Sequence, residues 1–158
     1  MWQDARFSPT GASKIAFSQS TDGGLTWSPV IRIDQSPGDI PAFVPQIHVA
    51  SDGNGRSAVL RDLEHATAAQ PGLTDAFIAH CHSATSNCTN PASWAPGGET
   101  RLSTSGSFDY TTAPDAGGAF LGDYDGLTSS GTTFKALFAM SQPIATAGKS
   151  DLFSSSAG

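Results

Sequence analysis

Residues 20–27 read Ser-Thr-Asp-Gly-Gly-Leu-Thr-Trp and separate two short apolar runs. The run before them, residues 14–20, carries Ile15 and Phe17 at alternating positions, and the run after them covers residues 26–33. Asp-Gly-Gly between alternating apolar segments is a strong hairpin signal, because glycine reaches the positive φ values that tight hairpin loops need. The stretch therefore predicts a β-hairpin.

The side chains of this loop point to a structural role. Asp22 is placed to accept hydrogen bonds from backbone N–H groups of its own turn, and Gly24 permits a positive φ. Thr26 begins the next strand, and we expect the Trp27 ring to be buried between neighbouring hairpins. Calcium binding by Asp22 is the weaker alternative, since too few oxygen ligands cluster there.

The composition favours short strands and disfavours several classes of partner. The 158 residues include 17 Gly and 10 Pro, and only 14% are charged, which is typical of strands joined by turns. A net charge of −6 disfavours nucleic acid, since phosphate binding needs a basic surface. No apolar run reaches the length of a membrane span. The start of the chain resembles no signal peptide, so we expect a cytosolic chain or an internal piece of a longer one.

Turn-rich sequences divide the rest of the chain into further strands. Residues 58–69 contain good helix formers, and local propensity alone allows a two-turn helix there. We predict a strand for residues 58–62, because the neighbouring turns and an internal repeat favour it. The other predicted strands are residues 43–50, 56–62, 75–83, 99–103, 119–127, 133–141 and 150–156.

The internal repeat consists of three similar strands, SKIAFSQS, TDAFIAHCHS and SDLFSSS. A run with a polar end precedes each of them: WQDARF, VLRDLE and LFAMSQ. The spacing of roughly 60–80 residues is compatible with propeller blades that carry long loops. Four antiparallel strands cannot bury both of their faces alone, so such units are expected to stack.

The loop matches the pattern Ser-x-Asp-x-Gly-x-Thr-Trp at every fixed position, and the matching residues are Ser20, Asp22, Gly24, Thr26 and Trp27. It thereby resembles the Asp-box, or bacterial neuraminidase repeat, whose best-known carriers are the six-bladed β-propeller sialidases. WQDARF, FVPQIHVASDG and FLGDYDGL also resemble stretches of secreted bacterial sialidase-like proteins. The resemblance implies an all-β fold, a partial β-propeller of about two and a half four-stranded antiparallel blades from a six-bladed ring.

The resemblance divides the chain, as one domain, into three blade segments. Residues 1–35 are expected to be the end of one blade with the Asp-box, beginning at its second strand. Residues 36–105 are expected to form a complete blade, and residues 106–158 an incomplete last blade that lacks its fourth strand. The missing blades are then expected in a longer parent chain, with Met1 as an internal start or a fragment boundary.

The resemblance places Trp94 at the point of the second blade that corresponds to Trp27, inside the degenerate box SATSNCTNPASW. Cys81 and Cys88 straddle this turn. Because the family is mostly exported, the resemblance implies a disulfide here in place of the aspartate turn, and two buried thiols are the alternative. The expected location is extracellular or periplasmic.

A sialidase needs arginines that hold the substrate carboxylate, an aspartate acid/base, and a tyrosine nucleophile. The candidate catalytic residues are Arg61, Asp62, Asp123 and Tyr124. A guanidinium matches a carboxylate bidentately, and a carboxylate–tyrosine group at a propeller axis suits a glycosidase. The structural alternatives are a solvated ion pair for Arg61 and Asp62, and turn or packing roles for the other two.

Other charged residues are given structural interpretations. Arg6 is expected in a solvated ion pair, and Arg32 and Arg101 are expected to be surface charges. His80 and His82 share one face of a strand. We favour a surface pair over a metal pair, because no third ligand is evident, and we expect neither a metal nor a cofactor.

These observations lead to one functional hypothesis and one alternative. The hypothesis is the C-terminal part of a secreted, sialidase-like Asp-box propeller, whose parent is a glycoside hydrolase of the exo-α-sialidase type. The alternative is a non-catalytic propeller that binds carbohydrate or protein, because a fold does not determine a function. The expected partners are a glycan or glycoconjugate and the missing blades, with no nucleic acid and no membrane span. The chain alone is expected to be inactive.

Overall fold

The computed structural model describes residues 1–51, 53, 55–94, 99–123, 125–141 and 150–157. The protein is all-β, with 43% strand and 7% helix, which confirms the all-β part of the predicted fold, whereas the partial β-propeller stays a prediction. Its strands form three antiparallel sheets, and none of them closes on itself within the residues that the structure describes.

Sheet 1 contains the predicted hairpin. Its strands are β1 (Trp2–Asp4), β2 (Lys14–Phe17) and β3 (Ile31–Arg32), in the order β1-β2-β3. A short 3-10 helix, Ala5–Phe7, follows β1. Strands β2 and β3 pair on either side of residues 20–27, as the turn signal indicated.

Sheet 2 lies in the middle of the molecule. Its strands are β4 (Ala42–Val49), β5 (Gly55–Asp62), β6 (Leu73–His82) and β7 (Thr100–Arg101), paired in that order. A short strand, β8 (Phe108–Asp109), also pairs with β6. The strand predicted for residues 58–62 is confirmed within β5, and no helix forms across residues 58–69.

Sheet 3 contains β9 (Gly126–Ser130), β10 (Thr133–Ser141) and β11 (Ser150–Ala157), in the order β11-β10-β9. The strand predicted for residues 119–127 is wrong over residues 119–123, which form no strand beyond an isolated bridge at Ala119. Gly122 has φ 101°, which interrupts an extended chain.

The remaining helices are the 3-10 turns Pro91–Trp94 and Tyr110–Thr112. Along the described part of the chain, no helix is long and apolar enough to cross a bilayer.

Sheets 1 and 2 repeat the same hydrogen-bond pattern. The N–H of Ile33 donates to the carbonyl of Ile15 at 3.0 Å in sheet 1, and the N–H of Leu102 donates to the carbonyl of Ala76 at 2.7 Å in sheet 2. The N–H of Ile15 donates in turn to Asp34 Oδ1, and the N–H of Ala76 donates to Ser103 Oγ. In each sheet the accepting side chain belongs to the residue that follows the donor of the first bond. The repeat seen in the sequence therefore extends to the geometry.

Strand β6 is buried on both faces, because sheets 1 and 3 pack on opposite sides of sheet 2. Phe77, Ala79 and Cys81 join an apolar cluster shared with sheet 1, whereas Ala76 and Ile78 join one shared with sheet 3. Alternate residues of a strand point to opposite faces, so β6 supplies side chains to both clusters. The expected stacking of units is thus present for these three sheets.

The Asp-box loop, residues 20–27, is held by hydrogen bonds around Asp22. Asp22 Oδ1 accepts from Thr26 N at 2.9 Å and from Ser20 Oγ at 2.7 Å, and Oδ2 accepts from Thr26 Oγ1 at 2.6 Å. Ser20 Oγ in turn accepts from the N–H of Gly24, which has φ 92°. The bonds from Thr26, then that from Ser20, hold the pKa of Asp22 well below its usual range. The geometry agrees with a structural role for the loop.

The expected burial of Trp27 is wrong, because its side chain is 64% exposed. Its indole N–H donates to the carbonyl of Gly24 at 3.1 Å. Trp94 makes the matching bond, to the carbonyl of Cys88 at 3.0 Å, but is only 1% exposed and lies 5.1 Å from the ring of Phe17. Trp94 lies between sheets 1 and 2, whereas no sheet of the described residues covers Trp27.

Cys81 and Cys88 form the disulfide that the resemblance implied, with their Cα atoms 5.9 Å apart. Both are buried in the cluster between sheets 1 and 2. The bridge ties the end of β6 to the chain leading to Trp94, so it holds the degenerate box in place.

Replacing Trp94 by Ala is expected to lower the free energy of unfolding by about 3–5 kcal/mol, because a large buried ring is removed from the cluster between sheets 1 and 2. Trp27→Ala is the matched control, and its exposed ring is expected to cost about 1 kcal/mol or less. Urea titrations of both variants measure this. Equal losses for the two substitutions would contradict the assignment of Trp94 to the core and Trp27 to the surface.

Candidate functional site

The centre of the candidate site is a buried ion pair between Arg61 and Asp125. Arg61 is the second-last residue of β5, and Asp125 directly precedes β9, so the pair joins sheets 2 and 3. Arg61 Nη2 donates to Asp125 Oδ1, and the two side chains are 1% and 0% exposed. A buried guanidinium needs such a partner, because an uncompensated charge is strongly disfavoured in the interior.

A cavity of about 260 Å³ adjoins this ion pair, and we call it the Arg61 cavity. Its walls are mainly apolar and aromatic, with Arg61 and Asp123 as the charged contributors among the described residues. The lining residues are Phe43, Val44, Arg61, Tyr110, Ala119, Phe120, Leu121, Gly122 and Asp123. Concave apolar walls with a few polar groups are typical of small-molecule sites.

Two nitrogen atoms of the Arg61 guanidinium form no hydrogen bond with the described residues. Its Nε and Nη1 atoms are buried and have no hydrogen-bond partner among the described residues, and the same holds for Asp125 Oδ2. A buried donor without a partner costs free energy, of about 1–3 kcal/mol. A ligand that offers an acceptor would relieve that cost.

The backbone beside the cavity is unusual at Val44. Its φ is 48°, which is rare for a β-branched residue, and the register of β4 against β5 shifts between Phe43 and Gln46. The bulge brings Phe43 to the cavity wall, 6.3 Å from the ring of Tyr110. Strained backbone and bulges are often found at ligand sites.

Burial affects the acid–base properties of both members of the ion pair. It raises the pKa of Asp125 to about 6, against the opposing effect of the Arg61 cation. It also lowers the pKa of Arg61, which the Asp125 carboxylate opposes. Near pH 7 both groups are therefore charged, and the pair is neutral as a unit.

Asp62 lies on the opposite side of sheet 2 from Arg61. Its Oδ2 accepts from Ser36 Oγ at 2.8 Å and its Oδ1 from the N–H of Glu64 at 3.0 Å, and burial raises its pKa. The prediction of a solvated ion pair between Arg61 and Asp62 is wrong. Both side chains are fully buried, and neighbouring residues of a strand point to opposite faces of the sheet. Asp62 does not line the Arg61 cavity.

Of the other proposed catalytic residues, Asp123 is exposed at the edge of the Arg61 cavity. Tyr124 lies outside the described residues. Asp125 belongs to the GDYDGL stretch, whose aspartates and tyrosine the sequence suggests as a carboxylate–tyrosine group. Tyr110 is given no role, because nothing in the sequence near it marks it.

Two of the arginines are more than surface charges. Arg32 donates to the buried carboxylate of Asp34 at 2.8 Å, and Arg101 Nε donates to that of Asp75 at 2.6 Å. Arg32 holds Asp34 just after β3, and Arg101 ties β7 to β6, so the expectation of simple surface charges is wrong. Arg6 is 55% exposed in its ion pair, as expected.

His80 and His82 lie on one face of β6 with their rings stacked 6.4 Å apart. Burial, and then the charge of His82, lower the pKa of His80. Among the residues that the structure describes, no group of three or more His, Cys, Asp or Glu side chains could hold a metal ion.

Glu99 is a second carboxyl with a raised pKa, outside the Arg61 cavity. Burial is the largest cause and raises its pKa to about 7, while a hydrogen bond of 3.0 Å from the N–H of Gln35 opposes the shift. The nearby acidic charges, among them Asp62 and Asp34, also raise it. The group joins sheet 2 to the segment that follows sheet 1.

No family model matches the chain, and comparison with curated proteins and with solved structures also finds no match.

Replacing Asp125 by Asn is expected to lower the free energy of unfolding by about 3–5 kcal/mol, because Arg61 then remains charged and buried without an anion. Asp123→Asn is the matched control and is expected to change it by about 0.5 kcal/mol or less, since Asp123 is exposed. Denaturant unfolding at pH 7.5 measures both. An Asp125→Asn variant as stable as the control would show that the pair does not hold sheets 2 and 3 together.

Glu99 predicts a pH dependence with a definite sign. Folding raises the pKa of Glu99 from 4.5 to about 7. The favourable contribution of Glu99 to the free energy of unfolding is therefore complete below about pH 4.5 and is lost as the pH rises through 7. Relative to Glu99→Gln, the wild-type protein should therefore lose about 1–3 kcal/mol of stability between pH 4.5 and 8. Unfolding curves of both proteins across this range test it. A wild-type stability that stays constant relative to Glu99→Gln, or rises relative to it with pH, would contradict the burial of this carboxyl.

Proposed function

We propose that this chain is part of a sialidase-like Asp-box β-propeller whose parent is a glycoside hydrolase of the exo-α-sialidase type, acting on glycans. The observation that carries the proposal is the Arg61 guanidinium, which is buried beside a cavity and keeps two nitrogen atoms without a partner among the described residues. Sialic acids carry a carboxylate, and a guanidinium is the side chain that binds a carboxylate bidentately.

The surroundings of Arg61 suit carboxylate binding. Asp125 engages Nη2 and so restrains the plane of the guanidinium, while the buried Nε and Nη1 atoms have no partner among the described residues. Phe43, Tyr110 and Phe120 give the cavity aromatic walls, and surroundings of low polarity strengthen an ionic contact. A pre-oriented cation in a cavity of low polarity is the arrangement that a carboxylate-bearing sugar requires.

Three further features support the architectural part of the proposal. The Asp22 network satisfies the Asp-box pattern, sheets 1 and 2 repeat one hydrogen-bond scheme, and sheet 2 is covered on both faces. The blades that complete the ring belong to the parent chain in this proposal. The disulfide supports an oxidising compartment, so we place the protein outside the cell or in the periplasm.

A non-catalytic propeller that binds carbohydrate or protein is the second candidate. It is favoured by the position of Asp62, which faces sheet 1 and is held by Ser36, outside the Arg61 cavity. Among the described residues, Asp123 is the one carboxylate that lines this cavity beside Arg61, and it is exposed. This arrangement provides binding more clearly than acid/base catalysis.

The test measures binding and turnover on the same proteins. The chain is expected to bind N-acetylneuraminate, and Arg61→Lys should weaken binding at least tenfold, because lysine keeps the positive charge for Asp125 but lacks the planar fork. The chain alone should not cleave a fluorogenic sialoside, whereas a parent with the full ring should, since a propeller site needs residues from all blades.

Each outcome discriminates between the candidates. Binding by a folded parent without turnover would favour the non-catalytic propeller. Unchanged binding by Arg61→Lys, or no binding by chain and parent, would reject the carboxylate site. Asp39→Asn, an exposed substitution outside the residues that line the Arg61 cavity, is the control and should bind as the wild type does.

A further inference from the structure

A second cavity, of about 470 Å³, lies between sheets 2 and 3, and we call it the Asp109 cavity. Its walls come from β6 and β8 on one side and from β10 and β11 on the other. The short helix Tyr110–Thr112 separates it from the Arg61 cavity, since Tyr110 lines the first cavity and Thr112 the second. Its volume falls within the range of about 300–1,000 Å³ that is usual for small-molecule sites.

The lining combines apolar surface with neutral hydrogen-bonding groups. Apolar contributions come from Leu73, Phe108, Met140 and Phe153, and polar ones from Gln70, Ser105, Ser107, Asp109, Thr112 and Ser141. Among the described lining residues, the Asp109 carboxylate is the one charged group. The Asp109 cavity therefore has the opposite charge preference from the Arg61 cavity.

The Asp109 carboxylate is held in a fixed orientation through hydrogen bonds to one of its two oxygens. Its Oδ1 accepts from the N–H and the hydroxyl of Thr111, at 3.0 and 2.6 Å, which fixes its orientation at the start of the short helix. No described residue donates to Oδ2. This oxygen is thus an acceptor held in place without a protein partner.

The wall of the Asp109 cavity at Ser107 is also held in place by hydrogen bonds. Ser107 Oγ donates to Asp75 Oδ2 at 2.8 Å, and Asp75 is fully buried and held by Arg101 as well. The same carboxylate oxygen contacts His65 Nδ1 at 2.7 Å. A wall anchored by a buried carboxylate is pre-organised, which reduces the entropy lost on binding.

We propose that the Asp109 cavity binds a polyhydroxylated molecule of about monosaccharide size that carries no negative charge. Its hydroxyl groups pair with Asp109 Oδ2, the Gln70 amide and the Ser105 hydroxyl, and its C–H surface packs on the phenyl rings. An anion is disfavoured by the carboxylate, and a hydrocarbon would leave the polar lining unpaired. This site goes beyond the proposed function, because it does not involve Arg61.

The experiment uses saturation-transfer NMR on the whole chain with three probes: methyl glucoside as the neutral molecule, glucuronate as the anion and glucosamine as the cation. Methyl glucoside is expected to bind at least fivefold more tightly than glucuronate. In Asp109→Asn this discrimination should fall to twofold or less, because the repelling charge is gone. The ratio of two affinities in one variant is insensitive to a general loss of folded protein.

Two further variants make the result decisive. Gln70→Ala leaves the Asp109–Thr111 bonds intact and should weaken methyl glucoside at least threefold, whereas Asp115→Asn, an exposed aspartate outside the cavity, should change nothing. The proposal is overturned if methyl glucoside does not bind, if glucuronate binds as tightly or more tightly, if glucosamine binds more weakly than glucuronate, or if Asp109→Asn keeps the wild-type discrimination.

Discussion

The burial of β6 on both of its faces is the constraint on which the rest of the structure depends. The middle of β6, residues 76–79, is apolar on both faces and cannot face water on either side, so sheet 2 must be covered twice. Sheet 1 covers the face of Phe77 and sheet 3 covers the face of Ile78. The three sheets consequently pack in series, and each contact brings together residues that are distant in the sequence.

This packing creates the polar features as well as the core. Because β5 is buried beside β6, the successive residues Arg61 and Asp62 are directed to different interfaces, one toward sheet 3 and one toward sheet 1. Each contacts a partner there from another sheet or its flanking segment. A buried ion pair contributes little net stability compared with an apolar contact, so its retention beside a cavity is consistent with a binding role for Arg61.

The sequence predicts the local features well. The hairpin around residues 20–27 and the strand in residues 58–62 are present, because turn glycines and alternation determine them. The Cys81–Cys88 disulfide, which the resemblance implied, is present as well. The sequence does not predict which residues meet across sheets. Arg61 and Asp125 are 64 residues apart, and their contact exists only once sheets 2 and 3 have packed together.

The two errors in the fold prediction have different origins, one in long-range packing and one in local backbone conformation. Trp27 and Trp94 occupy equivalent places in their loops and make equivalent indole hydrogen bonds, yet one is exposed and the other is buried. Local sequence cannot distinguish them, because burial depends on whether another sheet lies over the ring. The strand expected at residues 119–123 failed for a local reason, the positive φ of Gly122, which alternation of apolar residues does not reveal.

Hydrogen–deuterium exchange of the backbone amides tests the central claim, the double coverage of β6, most directly. The amides of Ala76, Phe77, Ile78 and Ala79 should exchange slowest in the chain, with a free energy of opening close to that of global unfolding. Those of the edge strand β11 should exchange faster. Exchange of the β6 amides as fast as that of β11 would contradict the account, since it would show that β6 is not enclosed between two sheets.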